Sequence, residues 1–284
     1  MEIKFQIMSD LHLETPKARP NYEHFKIQPA SPYLALIGDI ENTWDPRLFS
    51  FLEEQLQHFE RVFYLLGNHE LYESTISVAQ QAVRSFADEM EKIRSQPGTN
   101  IGRFVFLNQT RLDLTDHVTV LGCTLFSSIS NEQRQSVTLF CSDFSEIEDW
   151  TVDAHNAAHQ SDLNWLNEQV ELLERHEPHR KIVVFTHHSP TLLEEANDSR
   201  HLEDVNGVNS AFVTDLSDQQ CWKSDTVRIW AFGHTHFNCD FEEAGTRKRI
   251  VANQKGYGRT ELETFDPGRV IEVDSAEFEV DAKT

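Results

Sequence analysis

The sequence lacks the long apolar runs that a membrane protein needs. Its longest such run is far below the roughly 20 residues that span a bilayer. The first residues lead directly into a strand pattern, without the basic and apolar segments of a signal peptide. We therefore expect a protein that neither crosses a membrane nor is secreted, and we predict a cytoplasmic location.

Cysteine is also scarce, and its spacing excludes the common cysteine-based frameworks. The four cysteines lie far apart and form no Cys-x-x-Cys pair: Cys123, Cys141, Cys221 and Cys239. Such spacing argues against a disulfide framework or a zinc knuckle and indicates reduced thiols.

Basic residues are few: 25 Lys and Arg stand against 47 Asp and Glu, for a formal net charge of -22. This balance repels nucleic acid and lacks the basic stripe of a protein that binds the phosphate backbone, so we expect no nucleic-acid partner. A small anionic substrate remains compatible with it, because bound metal ions reverse the local field. The sequence carries no signal for an oligomeric state.

Short apolar runs recur along the chain and predict strands that are buried on both faces. They cover residues 3–7, 33–37, 62–66, 182–185, 227–232, 249–251 and 270–273. Apolar residues at helical spacing predict helices over 45–58, about 74–95 and about 153–176. Alternating strands and helices, followed by strands alone, predict a layered α/β domain with mixed sheets.

No internal repeat, low-complexity tract or Gly/Ser linker divides the chain, and we expect a single domain over residues 1–284. Two polar stretches, 127–150 and 189–224, directly follow strand-like runs. Their positions suit walls or lids over a site, and they suit ordinary surface loops equally well.

Five short polar islands each stand at the end of an apolar run. They are residues 10–12 (Asp-Leu-His), 38–39 (Gly-Asp), 67–70 (Gly-Asn-His-Glu), 186–188 (Thr-His-His) and 233–236 (Gly-His-Thr-His). Side chains at neighbouring strand ends can converge, because adjacent strands lie only about 4.8 Å apart. Carboxylates, an amide and imidazoles form the mixture of ligands that two divalent ions bound side by side require.

Each island alone has an ordinary explanation. Asp10 could cap a turn, His12 could be a surface histidine, and Asp39 after Gly38 is a common turn pair. Asn68 suits a turn that needs positive φ. The ordered set of five favours a metal centre over these separate explanations.

Two further histidines, His155 and His159, lie four residues apart on a predicted helix, which is the spacing of a metal-binding pair. The sequence offers them no third ligand. A solvated helix face is therefore the favoured interpretation.

The ordered islands resemble the five signature blocks of the calcineurin-like metallophosphoesterase superfamily, from residue 10 to residue 236. The resemblance implies a four-layer α/β/β/α sandwich with two mixed β-sheets, and two divalent ions among Mn, Fe, Zn and Co. It implies that the first ion is held by Asp10, His12, Asp39 and His236. It implies that Asp39 also bridges to a second ion, whose other ligands are Asn68, His187 and His234.

The family places its fourth ligand block at a strand end, which favours His187 over His188 as the ligand. His188 would then face substrate or a neighbouring carboxylate.

The resemblance gives His69 a role without metal, as donor of a proton to the leaving-group oxygen or as a stabiliser of phosphoryl charge. It implies in-line attack on phosphorus by a water that bridges the two ions. Glu70 is expected to support its loop through hydrogen bonds.

Residues around the islands separate the chain from two better-known branches of the superfamily. The phosphate-gripping arginines of the protein serine/threonine phosphatases are absent, and so are the basic surface and capping domain of the DNA-repair nucleases. The chain resembles small stand-alone bacterial and fungal members, which open with Ser-Asp-Leu-His-Leu-Glu, here residues 9–14. Those members often carry Asn-Pro-Arg-Gly-Tyr near the end, where this chain has Gln254 and Lys255 in place of Pro and Arg.

These features together predict a metal-dependent hydrolase of small phosphodiesters or phosphomonoesters. The missing arginine pair favours phosphodiesters. Lys255 is a candidate contact to an anionic substrate, although a turn-forming role for residues 253–257 fits equally well. A metal-dependent nuclease is the first alternative, which a basic groove would favour. A non-catalytic interaction module is the second, but such proteins usually lose ligands or the catalytic histidine.

Overall fold

Eleven β-strands and seven α-helices make up the described part of this computed structural model, residues 2–16, 20–202, 207–257 and 264–274. The strands are β1 (Glu2–Met8), β2 (Tyr33–Ile37), β3 (Arg61–Leu65), β4 (Arg103–Phe106), β5 (Thr110–Asp113), β6 (Val118–Gly122), β7 (Lys181–Phe185), β8 (Val227–Phe232), β9 (Cys239–Glu242), β10 (Arg249–Ala252) and β11 (Val270–Asp274). The helices are α1 (Pro46–Leu56), α2 (Ile76–Arg94), α3 (Arg134–Phe140), α4 (Asp143–Glu146), α5 (Val152–His176), α6 (Ser199–Leu202) and α7 (Gln220–Lys223).

The strands form two mixed sheets. The first has the order β11-β1-β2-β3-β4, in which only the edge strand β11 runs antiparallel to its neighbour. The second has the order β5-β6-β7-β8-β10-β9, with antiparallel strands at both edges and parallel strands between them. In each sheet the parallel strands bring several carboxyl ends to one edge, where a site can form.

Side-chain caps fix where the long helices begin. Thr75 before α2 and Thr151 before α5 each accept a hydrogen bond from the backbone N–H three residues further on. Asp45 caps α1 in the same way through the N–H two residues on, and Pro46 occupies its first turn. The apolar face of each of these helices packs against a sheet.

Apolar side chains form the core in three places: between the two sheets and on the outer face of each sheet. Between the sheets, the ring of Phe5 meets Phe63 at 5.6 Å and Phe185 at 5.4 Å between centroids. Helices α1 and α2 cover the outer face of the first sheet, and α5 covers the outer face of the second. The predicted α/β/β/α sandwich with two mixed sheets is confirmed.

The strands and helices predicted from the sequence agree with the structure to within about two residues at most ends. Strands β4, β5 and β9 were not predicted, and β6 was indicated only by the strand-like run before residue 127. Two of them, β5 and β9, are edge strands whose side chains are half-buried or exposed, so they carry no buried-strand pattern. Among the described residues, no helix is long and apolar enough to cross a bilayer.

The interpretation of His155 and His159 as a solvated helix face is wrong. Both side chains are buried under the segment that follows β6. Nε2 of His155 accepts a hydrogen bond from the N–H of Ser127 at 3.2 Å, and Nδ1 of His159 lies 3.0 Å from the carbonyl oxygen of Leu125. The pair therefore holds this segment against α5, and neither residue belongs to a cluster of donors among the described residues.

Candidate metal centre

All five polar islands meet where the carboxyl ends of the two sheets come together. Three islands follow β1, β2 and β3 of the first sheet, and two follow β7 and β8 of the second. The structure brings the seven predicted ligands into one buried region: Asp10, His12, Asp39, Asn68, His187, His234 and His236.

A first cluster of donors consists of Asp10, His12 and His236, whose ligand atoms lie within 4.8 Å of one another. Nε2 of His236 lies 3.3 Å from Oδ1 of Asp10 and 3.1 Å from Nε2 of His12. Two imidazole nitrogens and a carboxylate oxygen thus point at one small volume. This is the arrangement that a divalent ion with mixed nitrogen and oxygen ligands requires.

A second cluster consists of Asp39, His187 and His234, again within 4.8 Å. Nε2 of His187 lies 3.3 Å from Oδ1 of Asp39 and 3.2 Å from Oδ1 of Asn68. The amide oxygen of Asn68 therefore faces the same volume as the second cluster. His188 belongs to no donor cluster among the described residues, which favours His187 as the ligand.

The carboxylate of Asp39 lies between the two clusters. While its Oδ1 approaches His187, its Oδ2 lies 4.0 Å from Nε2 of His12 and 4.0 Å from Nε2 of His69. A carboxylate that offers one oxygen to each side has the geometry of a bridging ligand. The donor set on both sides fits two divalent ions.

Five of these residues have the left-handed backbone conformation that non-glycine residues rarely adopt. The φ angles are 52° at Asp10, 45° at His12, 54° at Asp39, 72° at His234 and 51° at His236. Such conformations cost free energy and persist where the surrounding structure imposes them, most often at functional sites. The turn explanation for Asn68 fails, because its φ is -82°.

Gly67 allows the islands after β2 and β3 to approach each other closely. A Cβ atom at this position would lie 2.1 Å from Oδ1 of Asp39 and 2.7 Å from Nε2 of His187. No side chain fits there without displacing two of the predicted ligands. The glycine of the third island thus has a packing reason within the site.

Glu70 connects the loops that carry the ligands. Its carboxylate accepts hydrogen bonds from the backbone N–H groups of Asp39, Ile40 and Gly67 at 2.8–2.9 Å, and from the hydroxyl of Tyr64 at 3.1 Å. The expectation that Glu70 supports its loop through hydrogen bonds is confirmed.

The protonation states of Asp39 and His234 suit metal binding, whereas that of His187 does not. Burial raises the pKa of Asp39, but the charges of His187 and His69 more than offset this and hold it well below its usual range. Burial lowers the pKa of His234 far below its ordinary value. Ionised carboxylates and neutral imidazoles are the forms that coordinate metal. Burial lowers the pKa of His187, but the charge of Asp39 more than compensates and raises it to about 10, so this imidazole must lose a proton when it binds a metal.

His69 lies beside the first cluster and lines the cleft, and it forms a third group of donor atoms within 4.8 Å of one another together with His12 and Asp39. Its Nδ1 is 3.3 Å from Oε1 of Glu14, and the same oxygen is 3.2 Å from Nδ1 of His12. Burial lowers the pKa of His69, but the carboxylates of Asp39 and Glu14 more than compensate and raise it to about 9. Nε2 of His69 lies 2.5 Å from the hydroxyl oxygen of Tyr257.

A cleft of about 460 Å³ opens above the ligands, and both polar stretches border it. Stretch 127–150 contributes residues 140–143, from the end of α3 to the start of α4, and stretch 189–224 contributes Val208, Asn209, Ala211 and Phe212. Gln133 donates a hydrogen bond to Asn209 at 2.8 Å, and Ser128 N–H donates one to Thr214 at 2.8 Å, so the two stretches contact each other.

Two predicted substrate contacts do not lie at this cleft. His188 is fully buried against the rings of Phe126 and His234. Lys255 is also buried, and its ammonium group donates to the carbonyl oxygen of Leu11 at 3.2 Å. Neither residue lines the cleft, so neither is placed to contact a substrate there.

Other residues at the site were not predicted. Glu14 contacts His12 and His69, Asp143 contacts Asn68, and Tyr257 contacts His69. Glu14 and Tyr257 stood inside motifs quoted for the resemblance, which was the available signal. Asp143 lies 75 positions from Asn68, and no spacing pattern connects the two.

Known proteins resemble the chain over most of its length. A sequence profile of the calcineurin-like phosphoesterase family matches residues 3–238, a range that contains all five islands. Uncharacterized protein L509 of Acanthamoeba polyphaga mimivirus is 26% identical over 287 residues, covering 94% of this chain and 95% of that protein. The crystal structure of phosphopantetheinyl hydrolase from Mycobacterium tuberculosis has a TM-score of 0.64 at 18% identity, over 90% of each chain. At this level of identity, the structural similarity concerns the fold alone.

Proposed function

Because the chain belongs to the calcineurin-like phosphoesterase family, we propose that it is a phosphoester hydrolase that uses two divalent metal ions. One ion would be held by Asp10, His12, Asp39 and His236, and the other by Asp39, Asn68, His187 and His234. The observation that carries this proposal is that two buried donor clusters lie on either side of one carboxylate, Asp39. Ions bound in this way lower the pKa of a water molecule and offset charge on the phosphoryl oxygens.

The side chain of His69 would supply the proton for the leaving group. Its Nδ1 faces the carboxylate of Glu14, which accepts the hydrogen there, and its Nε2 lies against the hydroxyl of Tyr257, another residue that lines the cleft. A raised pKa keeps this imidazole protonated near neutral pH. General acid catalysis of this type contributes roughly two to four orders of magnitude in rate.

Phosphodiesters are the preferred substrate class in this proposal. Among the described residues that line the cleft there is no Lys or Arg, whereas Asp39 and Asp143 carry carboxylates. A phosphomonoester gains a second negative charge above a pKa of about 6, which this lining does not offset. The net charge of -22 argues in the same way against a nuclease.

The proposal is tested by assaying protein loaded separately with Mn, Zn, Fe and Co against bis(4-nitrophenyl) phosphate and 4-nitrophenyl phosphate. We expect turnover of the diester with at least one metal, its loss in EDTA, and its recovery when metal is added back. Absence of turnover with every metal would contradict the hydrolase proposal, and faster turnover of the monoester would contradict only the diester preference. Since the similar structure is that of a phosphopantetheinyl hydrolase, a substrate that carries a phosphopantetheinyl group belongs in the same panel.

A further inference from the structure

One wall of the cleft is apolar, and both polar stretches contribute to it. Phe140, the last residue of α3, lines the cleft while 73% of the residue remains exposed. Val208 and Phe212 line it from the other stretch. We name these three residues the apolar wall. Exposed aromatic surface at the rim of a cavity is surface that a ligand can cover.

A small core supports two of the three residues of the apolar wall. Val208 and Phe212 pack against a buried cluster formed by residues of both stretches and the start of α5: Ile129, Val137, Val152 and Ala211. The hydrogen bond from Gln133 to Asn209 joins the same two stretches. A ligand that contacts Val208 and Phe212 would therefore meet a surface already in place, which lowers the entropic cost of binding.

The apolar wall begins beside the second donor cluster. The ring of Phe212 stacks on the ring of His234, with 5.0 Å between centroids and 23° between planes. His69 instead lies by the first cluster, in contact with Glu14 and Tyr257. A leaving group that takes its proton from His69 would depart on that side, and the group that stays on phosphorus would face the wall.

We propose that the apolar wall binds the organic group that a phosphodiester substrate retains after cleavage, and that this group is an uncharged aryl or alkyl group. The inference rests on the proposed function. Charge supports it, because the described lining holds no Lys or Arg and an anionic group would meet the carboxylate of Asp143. The cavity, about 460 Å³, falls within the size range of small-molecule sites.

The kinetic test compares two diesters that share a leaving group, methyl 4-nitrophenyl phosphate and phenyl 4-nitrophenyl phosphate. We expect kcat/KM of the metal-loaded protein to be at least about tenfold higher for the phenyl ester. One methylene group in an apolar pocket already changes kcat/KM by about tenfold or more, and the phenyl group buries several carbon atoms more than the methyl group does. Equal kcat/KM values for the two esters would overturn the inference.

Three variants locate the preference on the wall. Phe140→Ala should lower kcat/KM for the phenyl ester by about tenfold and leave the methyl ester within about twofold, and Phe140→Leu should restore most of the difference. Leu139→Ala is the matched control, because Leu139 is 67% exposed beside Phe140 but does not line the cleft. An equal loss for both esters in Phe140→Ala would show a merely structural role and would overturn the inference.

A binding measurement separates this inference from the proposed function. Calorimetry on metal-loaded His69→Ala protein should give diphenyl phosphate a Kd at least about tenfold lower than that of dimethyl phosphate, and Phe140→Ala should remove the difference. If the metal-loaded parent protein hydrolyses none of the 4-nitrophenyl esters while this difference in Kd persists, the hydrolase proposal fails and the apolar subsite stands. Equal Kd values would overturn the subsite whatever the activity.

Discussion

Oδ1 of Asp143 accepts a hydrogen bond from Nδ2 of Asn68 at 2.8 Å, and a second from the hydroxyl of Tyr72 at 2.8 Å. An amide that donates through Nδ2 must present its oxygen on the opposite side, and Oδ1 of Asn68 indeed lies 3.2 Å from Nε2 of His187. A residue of stretch 127–150 thus decides which atom of Asn68 faces the second cluster.

We expect Asp143→Ala to weaken metal binding at the second site by about tenfold to a hundredfold, which is the usual effect of removing a group that orients a ligand. Titration of the apoprotein with Mn or Zn, followed by metal analysis, measures this. Glu146→Ala is the matched control, because Glu146 is an exposed acid in the same short helix. Unchanged affinity at both sites in Asp143→Ala would contradict the orienting role.

The position of Asp39 between the clusters predicts which variants affect one metal site and which affect two. Asp39→Asn replaces one carboxylate oxygen by an amide nitrogen, so both sites should lose affinity. His12→Ala should mainly weaken the first site, since His12 lies within 4.8 Å of Asp10 and His236 but does not belong to the cluster of Asp39, His187 and His234. His234→Ala should mainly weaken the second.

Metal stoichiometry read by elemental analysis distinguishes these cases: about two ions per chain in the parent protein, about one in each histidine variant, and fewer than one in Asp39→Asn. Full occupancy of both sites in Asp39→Asn would refute the bridging geometry. His188→Ala serves as the control, because this neighbouring histidine belongs to no donor cluster among the described residues and its loss should leave two ions bound.

Asp162 predicts a pH dependence of stability that is separate from the metal centre. Burial raises the pKa of this carboxyl to about 6, although the N–H of Leu125 and Nε2 of Gln109 each donate to it at 2.8 Å. A raised acid pKa means that the folded state binds the proton more tightly. The stabilisation is therefore complete below about pH 4 and is lost as the pH rises from about 4 to 6.

The variant Asp162→Asn cannot titrate and should not show this loss. Relative to the parent protein, its free energy of unfolding should rise by about 1–3 kcal/mol between pH 4 and pH 6 and stay level above that. Urea unfolding across this range measures the difference. Asp153→Asn, at an exposed position of the same helix, should show no such rise. If the difference in free energy of unfolding between Asp162→Asn and the parent protein did not change between pH 4 and pH 6, the raised pKa of Asp162 would be contradicted.

The convergence of the five islands could be predicted because each follows a strand with a strong apolar pattern, and the position of a strand end fixes where its next side chains lie. Which residue of an island binds which ion was implied by the resemblance to the family. Asp143 could not be predicted in this way. It reaches Asn68 from a polar stretch without periodicity, so only the tertiary fold brings the two together. His155 and His159 show the same limit. Their spacing predicts that they share one face of the helix, but it does not tell whether that face is exposed or buried, and in the structure it is buried.

Glu14 predicts a coupling between two histidines of different roles. Its Oε1 lies 3.2 Å from Nδ1 of His12 and 3.3 Å from Nδ1 of His69, so one carboxylate orients a proposed ligand and the proposed acid. Glu14→Gln removes the charge that helps raise the pKa of His69. At saturating metal, kcat should fall by about tenfold to a hundredfold, and the alkaline limb of its pH profile should move to lower pH.

A double-mutant cycle decides whether Glu14 acts through His69 or through His12. If it acts through His69, the double variant Glu14→Gln with His69→Ala should be no slower than His69→Ala alone, because the group that Glu14 orients is already gone. Multiplied effects on kcat, together with lower metal content at the first site, would show instead that Glu14 works through His12. The shift of the alkaline limb gives an independent reading, since support of His12 alone would leave the protonation of His69 unchanged.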